Sequence, residues 1–232
     1  TKDENSFLFE NYPWPFVKDG KLNKVTVVVP DDIASADLNL LSNIFAYMGR
    51  SINDNTGNLR VVRDSSFSGK YGDTNIIFIG TPSELKSLKS INSSMYFKYD
   101  DSFSYFLSNE MRNLMEDFSR TLSSMQLITS PYNKSCGILV VTAPRKENVV
   151  NTEKYLTQSK YAGSLIGNAA LVDQWGDITN HYFILKTDSK ASLLQKIENG
   201  GQNLEVFVVS FITIIILLII SIGLYFRKYK RR

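Results

Sequence analysis

The chain has 232 residues, with 26 Lys+Arg against 23 Asp+Glu and a formal net charge of +3. Five of the basic residues crowd into the last six positions. Without them 21 positive charges face 23 negative ones, a balance that offers no basic surface for nucleic acid. Cys136 is the only cysteine, which excludes an intrachain disulfide and, with His181 the only histidine, a His/Cys transition-metal cluster.

In chain order, residues 1–23 read as a polar and aromatic N-terminal segment. Its Tyr12-Pro13-Trp14-Pro15-Phe16 is extended, because each Pro biases its predecessor away from the helical region. A domain over 24–188 follows. Lys24–Val29 is a β-branched run ending at Pro30, as a buried strand would. Asp31, Asp32 and Ser35 then offer N-caps for a helix over 36–48, with Leu38, Leu41, Ile44, Phe45 and Met48 on one face. Leu59–Val62 and Asn75–Ile79 are two more strands, the latter closed by Gly80-Thr81-Pro82 before a helix from Ser83. Leu107, Met111, Leu114, Met115 and Phe118 give 102–122 a helical period. Ser124–Thr129 and Gly137–Thr142 are strands on either side of a Ser130–Asn133 turn. A helix is expected over 146–158, then a hairpin of Asn168–Val172 and Ile178–Leu185 around Asp173–Asp177. Buried strands alternating with helices predict an α/β fold, a mostly parallel sheet with helices on both faces and a terminal β-hairpin.

Residues 189–203 hold a short juxtamembrane helix candidate, Lys190–Ile197, that could lie in the membrane interface or form a linker. Val206–Phe226 is 21 residues long without a charge or a proline, about 30 Å as a helix, so 204–226 is expected to be a single transmembrane helix in the lipid bilayer. Arg227, Lys228, Lys230, Arg231 and Arg232 make 227–232 a cytoplasmic stop-transfer tail. This predicts a single-pass protein of the cell membrane with its bulk outside the cytoplasm. Ser210, Thr213, Leu217 and Ser221 share one sector of the span, a candidate packing face for a partner helix. A protein of this topology needs an export signal, and none is visible, so these residues are expected to be the C-terminal part of a longer chain.

Chemistry is sparse. The loop after the first strand, Pro30-Asp31-Asp32, has no glycine and two carboxylates where a phosphate would sit. Gly80-Thr81-Pro82-Ser83 opens a helix and could accept an anion, but no G-x-G-x-x-G or Walker A pattern occurs. Asp31/Asp32 and Asp100/Asp101 are adjacent pairs that read as caps or turns, not carboxylates facing each other across a sugar. No catalytic, cofactor-binding or metal residue is assigned. Trp14 and Trp175 are candidate glycan or partner contacts, since an exposed indole stacks on a sugar ring; the alternative has Trp14 covering the domain's edge and Trp175 packed over the hairpin turn.

YPWPFVKDGKLNKVTVVVPDD (12–32), NIIFIGTP (75–82), ITSPYNKSCGILVVTAP (128–144) and GNAALVDQWGDI (167–178) occur in that order before the apolar segment and its basic tail. This combination resembles the C-terminal portion of the bacterial cellulose synthase regulatory (B) subunit, its last flavodoxin-like domain and anchor. The resemblance implies a noncatalytic, membrane-anchored accessory subunit of a processive β-glucan synthase. Its partners would be the membrane-embedded catalytic subunit and nascent glucan, and its flavodoxin-like domain would carry no flavin. Two other readings stand beside it: a tethered carbohydrate-binding protein acting without a synthase, and a flavodoxin-like electron carrier.

Overall fold

The computed structural model describes residues 7–54 and 56–183. Among the described residues, nine strands form a two-stranded ribbon, β1 (Val17–Lys18) with β2 (Lys21–Leu22), and a seven-stranded sheet. The sheet strands are β3 (Val25–Val29), β4 (Leu59–Arg63), β5 (Asn75–Ile79), β6 (Ser123–Thr129), β7 (Gly137–Thr142), β8 (Ala169–Val172) and β9 (Ile178–His181). They are ordered β4-β3-β5-β7-β6-β8-β9.

Every residue of β3, β5 and β7 is buried, as their continuous apolar runs require of strands covered on both faces. Alternate residues divide between two cores. Val25, Val27, Val29, Ile77 and Ile79 pack with Leu40, Leu41, Ile44 and Met48 of α1 (Ser35–Gly49). Val28, Ile76 and Phe78 pack on the other face with Leu88 and Ile91 of α2 (Ser87–Ile91) and with Phe97 and Phe106. The helices after β3 and β5 therefore cover opposite faces.

The mostly parallel sheet expected from the sequence is corrected. β3 pairs in parallel with β4 and β5, and β5 with β7, but β6 is antiparallel to both β7 and β8, and β8 to β9. The segment between Thr129 and Gly137 is too short for a crossover and closes a hairpin, Ser130 N–H donating to the Cys136 carbonyl at 2.9 Å. The helix expected over 102–122 is also corrected, since only α3 (Glu116–Ser119) forms there. Asp100 accepts from the backbone N–H groups of Ser102, Ser104 and Tyr105, and Asn109 from those of Met111 and Arg112, local bonds that compete with a helix. The helix over 146–158 is broken into α4 (Lys146–Val149), a 3-10 turn and α5 (Glu153–Thr157), with α6 (Ser159–Ala162) following.

The transmembrane part of the expected fold is corrected too: among the described residues no helix is long and apolar enough to cross a membrane. Residues 204–226, with Ser210, Thr213, Leu217 and Ser221, lie outside the described residues. So do Lys190–Ile197 and the basic residues Arg227, Lys228, Lys230, Arg231 and Arg232.

Phe7, Phe9, Phe16 and Val17 are buried in the core beside α1. Their segment turns through two cis peptide bonds, Tyr12–Pro13 and Trp14–Pro15. Asn75 ties it down, donating to the carbonyls of Asn23 (2.7 Å) and Pro15 (3.3 Å) while accepting from Gly137 N–H at 2.9 Å. A side chain at Gly137 would meet Pro15 at 2.8 Å and Phe7 at 2.9 Å, so this strand start has room only for glycine.

Candidate functional site

In an open sheet with helices on alternating faces, ligands bind at the carboxyl ends of the strands where the chain's direction of travel reverses. Here that point lies between β3, whose connection leads to β4, and β5, whose connection leads toward β7. The chain's own charges meet at this end. Lys146 Nζ, from the first residue of α4, lies 3.2 Å from Asp37 Oδ2 on α1 and makes a very short contact to Glu84 Oε1. Asp37 is 7 % exposed. Glu84 Oε2 accepts from Thr81 N–H (3.3 Å) and Thr81 Oγ1 (3.0 Å).

The Gly80-Thr81-Pro82-Ser83 loop, the one candidate anion cradle in the sequence, thus has its Thr81 donors turned onto an internal carboxylate. Burial works against the charged form of Glu84, but hydrogen bonds from Lys146 and Thr81 outweigh it and hold its pKa below the usual carboxylate value. The bond to Glu84 raises the pKa of Lys146; burial opposes it, and the bond to Asp37 adds a lesser raise. The other loop, Pro30-Asp31-Asp32, is closed by Asp31 Oδ1 accepting from Ser65 N–H (3.2 Å) and Oγ (2.6 Å), bonds that lower the Asp31 pKa. The arrangement turns its one ammonium onto two carboxylates rather than toward a ligand. It presents two carboxylates where a cofactor phosphate would need donors.

The remaining candidates are dispersed. His181 is buried at the end of β9, edge-on to Phe97 at 5.0 Å, with Nε2 making no hydrogen bond to the described residues. Burial, then the charge of Arg112, lowers its pKa and keeps it neutral. Cys136 is buried before β7, where burial raises its thiol pKa. Among the described residues no group of three or more His, Cys, Asp and Glu could hold a metal ion. Trp14 is half-buried, stacked on Phe7 at 5.1 Å and packed against the core. Trp175 is instead 73 % exposed, on the turn between β8 and β9, and does not cover that turn. The two indoles are not brought into one site. Sequence reasoning missed the Lys146–Asp37–Glu84 cluster, whose members stand on three separate segments.

Residues 5–141, more than half of the chain, match the family model of the cellulose synthase BcsB second FD domain. The chain belongs to this family. A search of curated proteins returns no match. Membership of the BcsB family connects the chain with cellulose biosynthesis and with a regulatory type of subunit. The match spans β3, α1, β4, β5 and α2, with Asp37 and Glu84, and continues into β7; Lys146 lies beyond it.

Proposed function

We propose that this chain is part of a noncatalytic accessory subunit of cellulose synthase that works beside the catalytic subunit on the outer side of the membrane and supports export of the polymer. The observation that carries this reading is the crevice between β3 and β5. The fold retains the position at which doubly wound proteins bind a cofactor, but Lys146, Asp37 and Glu84 occupy it with one another. A domain that has kept this architecture without a cofactor cradle is suited to contact, not chemistry. The BcsB family match supplies the partner, the cellulose synthase catalytic subunit.

The test is genetic. Removing this chain from its host should abolish or strongly reduce glucan output while the catalytic subunit is still made. Undiminished output would contradict the proposal.

A further inference from the structure

Trp175 is 73 % exposed, and the turn that carries it is firmly held. Asp173 Oδ1 accepts from the N–H groups of Trp175 and Asp177, each at 2.9 Å. The Asp173 carbonyl accepts from Gly176 N–H at 3.0 Å, and the Tyr155 hydroxyl donates to the Gly176 carbonyl at 2.8 Å. Lys154 Nζ lies 5.0 Å from the centre of the Tyr155 ring and 5.3 Å from that of Tyr161. A large aromatic face on a turn fixed from both sides loses little freedom when a ligand settles on it.

Beside the indole runs an open groove of about 430 Å³, lined by Asn151, Glu153, Lys154, Gln158 and Gln174 together with Trp175. Its size falls within the ~300–1,000 Å³ of small-molecule sites. The side-chain amides of Gln158 and Gln174 make no hydrogen bond to the described residues. Each therefore keeps two donors and an acceptor for hydroxyl groups. Glu153 and Lys154 carry opposite charges in the same lining, so the groove favours an uncharged ligand over an anionic one.

We infer that this groove is a subsite for a neutral β-linked glucan chain. Such a chain presents flat pyranose faces of C–H bonds, which suit an indole, and hydroxyl edges, which suit free amides. The inference rests on the accessory-subunit reading, which supplies glucan as the polymer at hand, and adds where the chain would touch it.

Cellohexaose titrated into the purified full chain, followed by calorimetry or by tryptophan fluorescence, tests it. Saturable binding is expected. Trp175→Ala should weaken it by about tenfold or more, and Trp175→Phe by only about threefold, since a smaller aromatic face remains. An oligogalacturonate of equal length should bind far more weakly. No saturation, or equal binding by Trp175→Ala, would overturn the assignment. It would equally fail if Trp175→Ala kept cellohexaose binding but lost co-purification with the catalytic subunit, which would make the indole a protein contact. Because the titration needs no synthase, its failure leaves the accessory role standing. A chain that binds glucan but has no effect on polymer output would contradict that role alone.

Discussion

Lys146 and Asp37 meet 3.2 Å apart at the carboxyl end of the sheet, the ammonium arriving from α4 and the nearly buried carboxylate from α1. With Glu84 beside them, they close the crevice in which a flavodoxin-like protein would hold its phosphate. The purified chain should therefore be colourless and should not bind FMN at micromolar concentration. Retained flavin, or saturation by added FMN in that range, would show that the cluster opens.

Replacing Lys146 with Ala leaves Asp37 without its counter-ion. Because Lys146 itself is 42 % exposed, the expected loss is about 1–2 kcal/mol, between that of a surface pair and a buried one. Urea unfolding of Lys146→Ala, and of Lys146→Ala combined with Asp37→Asn, measures it; the double variant should recover part of the loss. The pH dependence follows from Glu84, whose folded pKa is lowered. Its contribution is present above its unfolded value near 4.5 and is lost as pH falls through the folded value. The variant should therefore show a weaker loss of stability below pH 4.5 than the native chain.

Asp100 tests why the 102–122 helix does not form. Burial alone would raise its pKa, but bonds from Ser102, Ser104 and Tyr105 outweigh it and bring it to about 2. Its stabilisation is present above the unfolded value of 3.8 and lost as pH falls toward 2. Asp100→Ala removes the acceptor of three backbone N–H groups and should cost about 1–3 kcal/mol at neutral pH, read from the urea midpoint. An unchanged midpoint would mean that these bonds do not hold the loop.

Gly167 has φ +77°, and a side chain there would meet the His181 carbonyl oxygen at 2.2 Å. Its N–H donates to Glu10 and its carbonyl accepts from Phe9 N–H, so the same residue fastens the N-terminal segment to β8. Gly167→Ala should cost at least about 2–3 kcal/mol through backbone strain and displacement of β9. A thermal unfolding midpoint within a degree of the native one would contradict this.

The parts of the fold legible in the sequence were those with a local cause. Lys24–Val29 ending at Pro30 and Asn75–Ile79 ending at Gly80 are apolar runs with clear stops, and both are strands. Residues 36–48 lie within α1, but its buried face is Leu40, Leu41, Ile44 and Met48; Leu38, expected on that face, is exposed and Phe45 only partly buried. The reversal of β6 was encoded in the shortness of the Ser130–Cys136 turn, but an alternating α/β pattern suggests a parallel sheet unless connection length is weighed. Residues 102–122 misled because the spacing of Leu107, Met111, Leu114 and Phe118 suits a helix, while Asp100 and Asn109 supply side-chain acceptors that capture the backbone first. In the structure Met111 and Met115 are exposed and Leu114 is buried, so the apparent stripe is not one face. The Lys146–Asp37–Glu84 cluster had no local sign at all, since only the sheet brings its members together.

Co-purification tests the central claim most directly. An affinity-tagged full-length subunit, extracted in mild detergent from a host that makes cellulose, should co-elute with the multi-span glycosyltransferase in a preparation that synthesises glucan. Elution of the subunit free of that glycosyltransferase, with glucan synthesis remaining entirely in the unbound fraction, would contradict the account.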